Sequence, residues 1–151
     1  MERRLSFFFS FSFLLAVVLA GCGPGFEGEG QPGVSVLVKD APAQLTGGEE
    51  ALFEIRYCAD AQGESFLVSE LRAELDAQGM NWHSGWDLRY ELTVDANRDH
   101  RFGPGDAITV SEKDWNEFGA DDAGMTYGVT LYRVSEMGRD EVLAKADWQA
   151  R

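Results

Sequence analysis

Apolar and polar residues alternate along most of the chain after residue 33. A period of two places every second side chain on the same face, which is typical of a strand with one buried face. Six runs follow this pattern, and segments rich in Gly, Asp and Ser separate them. The residues predicted to face the core are Val34, Val36 and Val38; Phe53, Ile55 and Tyr57; Leu88, Tyr90, Leu92 and Val94; Ile108 and Val110; Tyr127, Val129 and Leu131; and Val142, Ala144, Ala146 and Trp148.

Residues 66–75 fit two patterns. Leu67, Leu71 and Leu75 recur at a spacing of four, which suits one face of a helix. Leu71, Ala73 and Leu75 also alternate with charged residues, which suits a strand. We favour the strand, because the neighbouring runs are strands and a turn segment follows.

Seven or eight short strands in the 118 residues from 34 to 151 predict an all-β fold, an antiparallel β-sandwich. The pattern resembles that of the bacterial immunoglobulin-like sandwiches found on cell surfaces. A transthyretin-like or jelly-roll arrangement would show the same alternation, so the strand order stays open.

The chain begins with a short basic region and a long apolar run. Arg3 and Arg4 precede residues 5–20, which are almost wholly apolar, and this order is that of a secretory signal helix. The run is shorter than the roughly 20 residues that span a bilayer as a helix. It ends at Leu19-Ala20-Gly21-Cys22, an aliphatic residue, two small residues and a cysteine. This stretch resembles the lipobox of bacterial lipoproteins.

The lipobox resemblance implies cleavage before Cys22, a diacylglyceryl group on the Cys22 sulfur and acylation of the new amino terminus, for example with palmitate. Several acyl chains anchor a protein stably, whereas one does so only marginally. We therefore expect a signal peptide at 1–21, a lipidated Gly/Pro-rich tether at 22–33 and the sandwich at 34–151. The implied location is the bacterial cell envelope. The outer membrane is favoured, because Gly23 rather than an aspartate follows the cysteine.

The charge of the chain limits its partners. The formal net charge is −13, and residues 1–21 carry +1, so the remainder carries −14. Such an acidic body argues against nucleic acid as a partner, because neutralising phosphates requires Lys and Arg. It suits a solvated exported domain or one that binds divalent cations. Once Cys22 is lipidated, Cys58 has no partner in the chain, and we expect it to be a semi-buried, unpaired structural thiol.

Oxygen-bearing residues recur in the loop 95–106, between two strand-like runs. Calcium takes six to eight oxygen ligands from carboxylates, amide and backbone carbonyls and water, and ligands at alternate positions wrap the chain around one ion. The predicted calcium ligands are Asp95, Asn97, Asp99, the Arg101 carbonyl and Asp106, at loop positions 1, 3, 5, 7 and 12.

This loop resembles the calcium loop of EF-hands, and more closely that of dockerin-like repeats, which also close with aspartate. It departs at position 6, where His100 stands in place of the glycine that supplies a positive φ. Arg98 and Arg101 also place positive charge beside the ligands. We expect weak binding, with a Kd of about 10⁻⁴–10⁻³ M, and a structural role. A metal-free connection in which Asp and Asn cap turns has the same composition.

Two tryptophans flank a histidine in the segment from Trp82 through His83 to Trp86. Paired indoles can stack on a sugar or a peptide, although such residues more often pack at the edge of a core. A nucleophilic triad is not supported, and the sequence has neither a phosphate-binding glycine loop nor zinc-type Cys/His spacing.

These features favour a non-enzymatic envelope lipoprotein. Its calcium-stabilised sandwich would bind another surface component or support an assembly. The alternative is a small envelope carbohydrate-binding domain or hydrolase that uses the Trp82–Trp86 segment.

Overall fold

Two four-stranded antiparallel sheets form the fold in the computed structural model. It describes residues 30–41, 50–77, 80–83, 88–113, 118–135 and 139–151, with the backbone alone at 80–83. The first sheet has the order β1-β2-β6-β5 and the second the order β4-β3-β7-β8. The strands are β1 (Val36–Asp40), β2 (Ala51–Tyr57), β3 (Leu71–Ala77), β4 (Met80–His83), β5 (Leu88–Val94), β6 (Ala107–Glu112), β7 (Thr126–Arg133) and β8 (Glu141–Gln149). The predicted antiparallel β-sandwich is confirmed.

The strand order is that of an immunoglobulin-like sandwich. If β1 to β8 are lettered A, B, C, C′, D, E, F and G, the two sheets read A-B-E-D and C′-C-F-G. Immunoglobulin-like domains place A, B, E and D in one sheet and C, F and G in the other. Of the arrangements that the sequence left open, the strand order therefore matches the immunoglobulin-like one.

The apolar faces of the alternating runs meet between the sheets. Phe53 and Ile55 on β2 and Ile108 and Val110 on β6 are all fully buried. Burying one such side chain contributes about 1.5–3 kcal/mol relative to leaving it in water. A register shift near the start of β2 buries Leu52 as well. The central strands of the first sheet therefore form much of the core.

Residues 66–75 fold as the favoured strand, after a short 3₁₀ turn. β3 begins at Leu71 and buries Leu71, Ala73 and Leu75 on one face. Leu67 is 41% exposed, whereas a helix through Leu67, Leu71 and Leu75 would bury all three. The strand prediction is confirmed.

Irregular pairing shifts the alternation in two strands. A register shift at the end of β5 leaves Val94 41% exposed. A second shift, between β7 and β8, brings Leu143 into the core while Val142 is only half-buried. The predictions that Val94 and Val142 face the core are therefore wrong. A β-bulge adds one residue on one strand and reverses the faces beyond it, which a period of two cannot show.

Trp148 anchors one side of the sandwich. Its ring centroid lies 4.9 Å from that of Phe53, 5.3 Å from Tyr127 and 5.6 Å from Phe118. Its Nε1 donates a hydrogen bond to Asp40 Oδ1 at 2.8 Å. Asp40 ends β1 and Trp148 lies on β8, so this bond links an edge strand of each sheet.

A second bond links the sheets on the other side. The Tyr90 hydroxyl on β5 accepts a hydrogen bond from the Ala73 backbone N–H on β3 at 2.8 Å. Burial raises the pKa of Tyr90 to about 12, so the hydroxyl is neutral at physiological pH. The two edges of the first sheet are thus both tied to the second sheet.

The predicted signal peptide, Cys22 and most of the predicted tether lie outside the described residues, as do residues 42–49. In the portion of the chain that the structure describes, no helix is both long and apolar enough to cross a bilayer.

Candidate metal centre

The acidic loop 95–106 connects two neighbouring antiparallel strands, β5 and β6, whose last pair is Val94 opposite Ala107. Two residues suffice for such a connection, so a loop of twelve has a structure of its own. Asp106 joins the two ends of the loop, because its Oδ1 accepts a hydrogen bond from the Ala96 N–H at 2.6 Å. The first and last turns of the loop are thereby held together.

Three carboxylates converge inside the loop. Asp95, Asp99 and Asp106 each offer one oxygen, and these oxygens all lie within 4.8 Å of one another. Calcium–oxygen distances are about 2.3–2.6 Å, so two ligands on opposite sides of one ion stand about 5 Å apart. The spacing therefore fits a single calcium ion. Asp106 is buried, Asp95 is half-buried and Asp99 is exposed.

The backbone wraps around the first of these carboxylates. Asp95 Oδ1 accepts from the Asp99 N–H at 3.1 Å, and Asp95 Oδ2 accepts from the His100 N–H at 3.0 Å. Asp99 Oδ1 in turn accepts from the Arg101 N–H at 3.0 Å. Asp95 and Asp99 are thus each held in place by a backbone donor later in the loop.

Two residues of the loop adopt the left-handed conformation without being glycine. Arg98 has a φ of 58° and His100 a φ of 57°. Such a backbone costs an ordinary residue about 1–2 kcal/mol, so the surrounding contacts must enforce it. Position 6 of the loop therefore has the positive φ that glycine usually supplies, although its residue is His100. Its ring is exposed, with Nδ1 3.3 Å from Asp95 Oδ2.

The Arg101 side chain points away from the carboxylates. Its guanidinium donates to the Ser65 carbonyl at 2.7 Å. The positive charge of Arg101, which the sequence placed beside the predicted ligands, is therefore directed toward Ser65. The predicted ligand at this position is the backbone carbonyl of Arg101 rather than its side chain.

Phe102 attaches the loop to the rest of the fold. Phe102 and Phe66 form an isolated antiparallel bridge, with N–H to carbonyl distances of 2.8 and 2.9 Å. Both rings are buried, and the Phe102 ring lies 5.3 Å from that of Tyr57. Phe66 leads through the 3₁₀ turn into β3, which belongs to the second sheet. The loop is therefore bonded to the segment that leads into the second sheet.

Two glycines allow the close packing at the end of the loop. A Cβ on Gly103 would lie 2.1 Å from Ser65 Oγ and 2.9 Å from Ser65 Cβ. Gly105 has a φ of 93°, and its N–H donates to the Tyr57 carbonyl at 3.1 Å. Tyr57 N–H donates to the Asp106 carbonyl at 2.9 Å, so this end of the loop is bonded to the end of β2.

Of the five predicted ligands, the structure brings together the three carboxylates. Asn97 is exposed in the turn between Asp95 and Asp99. Sequence reasoning missed Ser65 and Phe66, which support the loop from 36 residues away. Nothing in their local sequence signals this role, because it depends on the packing of two distant segments.

No family model, curated protein or solved structure matches this chain. The site is therefore interpreted from its own geometry.

The tryptophan segment lies only partly within the described residues. Trp82 and His83 lie on β4, an edge strand of the second sheet, where the backbone alone is described. Trp86 lies outside the described residues. The predicted ligand-binding role of these three residues stays a prediction.

Cys58 differs from the expectation. It is 2% exposed, so it is more deeply buried than the expected semi-buried thiol, and its N–H donates to the Ser35 carbonyl at 2.9 Å. However, Cys58 is disulfide-bonded, so the prediction of an unpaired thiol is wrong. The sequence contains one other cysteine, Cys22, which lies outside the described residues.

Proposed function

We propose that the chain is an envelope lipoprotein whose immunoglobulin-like sandwich is stabilised by calcium and acts as a non-enzymatic binding or structural module. The observation that carries the calcium proposal is the convergence of three carboxylates in a loop with two left-handed non-glycine residues. The ligands would be Asp95, Asn97, Asp99, the Arg101 carbonyl and Asp106.

The energetics of the loop support a bound cation. Two unit charges 4.8 Å apart repel by roughly 1–3 kcal/mol at effective dielectric constants between those of water and a protein surface. Three such pairs, together with two left-handed residues, make the loop costly to form alone. The backbone donors offset part of that cost, and a divalent cation would offset the rest. Calcium suits the all-oxygen ligand set.

The metal would do more than join β5 to β6. The loop is bonded to β2 through Tyr57 and, through Phe66, to the segment that leads into β3. An ion that fixes Asp95, Asp99 and Asp106 would therefore hold the two sheets in register at this end of the sandwich. Its role is that of a clamp rather than a sensor, because both flanks of the loop are strands paired in one sheet.

Calcium titration followed by thermal melting tests this proposal. With a Kd of about 10⁻⁴–10⁻³ M, 10 mM calcium should raise the free energy of unfolding by about 1.4–2.7 kcal/mol. For a domain of this size, that corresponds to a rise in Tm of roughly 5–10 °C. Magnesium should have a smaller effect, because it requires a regular octahedron of closer ligands.

Matched variants make the result specific to the loop. Asp99→Asn removes the negative charge of one exposed ligand and should lose most of the calcium-dependent rise in Tm. Asp121→Asn removes an exposed aspartate of a different loop and should keep all of it. An unchanged Tm in millimolar calcium, or an equal response of both variants, would eliminate the calcium proposal.

The lipid anchor rests on the lipobox, and the disulfide bond of Cys58 gives it a sharp test. The Cys22 sulfur cannot carry a diacylglyceryl group and also bond to Cys58. A lipidated Cys22 therefore requires Cys58 to pair with a cysteine of another molecule. An internal bond between the two cysteines requires Cys22 to be free of lipid.

Intact mass of the membrane-associated protein, measured without reduction, separates these cases. The anchor proposal predicts added acyl mass and the release of Cys22→Ser from membranes, while Cys58→Ser stays membrane-bound. A mass that shows an internal disulfide and no acyl chains would overturn it.

A further inference from the structure

A glycine stands in the middle of β7 without a local structural reason. Gly128 pairs with Asp76 on β3 and with Asp147 on β8. It is not one of the described glycines with a positive φ. A Cβ at this position would meet nothing closer than the Asp76 carbonyl oxygen, at 3.6 Å, which is ordinary contact. The register shift of the β7–β8 pair lies elsewhere, between Leu131 and Tyr132.

Glycine destabilises the interior of a strand relative to alanine. When neither a bulge nor a positive φ nor crowding requires it, the remaining reason is the close approach of a ligand or of another backbone. Gly128 lies on the outer face of the second sheet, where its missing side chain leaves the surface open. This face is separate from the acidic loop.

The structure has a trough of about 270 Å³ at this position. Its side walls are Asp76, Thr130, Lys145 and Asp147, and Gly128 forms the floor. Thr130 pairs with Lys145 one row along from the pair of Gly128 and Asp147. Adjacent rows of the sheet thus place two carboxylates, a hydroxyl and an ammonium around one shallow depression.

The mixture of charges selects the kind of ligand. A cation would be attracted by Asp76 and Asp147 but repelled by Lys145, and an anion would meet the reverse. A neutral ligand with several hydroxyl groups can donate to both carboxylates and accept from the ammonium and the hydroxyl. The volume suits one small ring, because drug-sized ligands occupy pockets of about 300–1,000 Å³.

We propose that the trough over Gly128 binds a single sugar ring, with its carbon face on the glycine and its hydroxyls bonded to Asp76, Asp147 and Lys145. This site does not depend on the Trp82–Trp86 segment or on calcium. Its failure would leave the calcium clamp untouched.

NMR titration of the full chain tests the proposal. The probes are D-glucose, D-galactose and N-acetyl-D-glucosamine, each up to roughly 50 mM, because one ring in an open site is expected to bind at about millimolar Kd. At least one sugar should shift the amide signals of Gly128 and Thr130 with saturation. Methylammonium and acetate are the charged controls and should shift them less.

Gly128→Ala is the decisive variant. A methyl group on the floor should weaken sugar binding at least about tenfold, since the ring can no longer approach the backbone. The same change should keep or raise the Tm, because alanine fits the space and favours the strand. Gly119→Ala is the matched control. Its Cβ would meet nothing within 4 Å, and it lies outside the trough.

Four outcomes would overturn the proposal. The first is the absence of saturable shifts for all three sugars, and the second is equal binding by wild type and Gly128→Ala. The third is a stronger response to methylammonium or acetate, which would assign the trough to a charged ligand. The fourth is a change of oligomeric state in Gly128→Ala, which would assign the trough to a second chain.

Discussion

Replacing Asp106 by alanine separates the stability that hydrogen bonds give the loop from the stability that calcium adds. Asp106 is 1% exposed, and its two oxygens accept from the Ala96 N–H at 2.6 Å and from the Gly103 N–H at 2.7 Å. Hydrogen bonds to a charged group contribute about 1.5–3 kcal/mol each. We therefore expect Asp106→Ala to lower the free energy of unfolding by roughly 3–5 kcal/mol even without metal.

Urea unfolding in EGTA, and again in about 10 mM calcium, measures both parts. Calcium should add about 1.4–2.7 kcal/mol to the wild-type protein and nothing measurable to Asp106→Ala. Asp106→Asn keeps one acceptor oxygen, so its loss in EGTA should be intermediate. Asp121→Asn controls for the removal of one negative charge.

Two results would refute this reasoning. One concerns the hydrogen bonds of Asp106 and the other its role as a calcium ligand. A loss below about 1 kcal/mol for Asp106→Ala in EGTA would mean that the two N–H groups find other acceptors, and the hydrogen-bond account would fail. An undiminished effect of calcium on Asp106→Ala would mean that this carboxylate is not a ligand.

Three further predictions concern the packing around the loop and the core. Gly103→Ala should cost about 1–3 kcal/mol in urea unfolding because its Cβ would collide with Ser65, and a neutral effect would contradict the close packing. Asp40→Ala should lower the free energy of unfolding by about 1–3 kcal/mol, because the Trp148 indole N–H loses its acceptor. Asp40→Asn keeps an acceptor oxygen and should retain most of that free energy. Equal losses in the two variants would refute this account. Burial first of all raises the pKa of Tyr57 from 10.0 to about 12. The stability that the neutral Tyr57 hydroxyl contributes is therefore complete below pH 10. It is lost between about pH 10 and 12, at about 1.4 kcal/mol per pH unit, because the hydroxyl ionises first in the unfolded chain. Tyr57→Phe should flatten that decline when the Tm is measured across this pH range.

Local sequence predicted the strands well because alternation reports directly on which face is buried. Phe53, Ile55 and Tyr57 face the core as expected, and residues 66–75 follow the strand pattern rather than the helical one. Errors occur where pairing is irregular. Leu143 replaces Val142 in the core because of the register shift between β7 and β8, and such a shift depends on the partner strand as much as on β8 itself.

In the candidate site, too, local sequence predicted some features, whereas others depend on contacts between distant segments. The spacing of Asp95, Asp99 and Asp106 predicted that they meet, because a loop between paired strands must return to its start. The left-handed turn at Arg98 had no signal in the residue type, since arginine rarely takes that conformation. The attachment to Phe66 could not be predicted either, because it joins segments 36 residues apart.

The position of the loop has a mechanical consequence. β1 begins at Val36, which pairs with Tyr57, and Tyr57 is bonded on its other side to Gly105 and Asp106. A load applied through the N-terminal tether would reach the backbone hydrogen bonds Gln31–Leu143 and Ser35–Cys58 first and then the pair of Val36 and Tyr57, and it would tend to unzip β1 from this end. The acidic loop lies directly behind that pair. If the lipid anchor and the ion proposed above are both present, the ion would reinforce the fold near the end at which the anchor pulls, and the force needed to peel β1 away should rise with calcium.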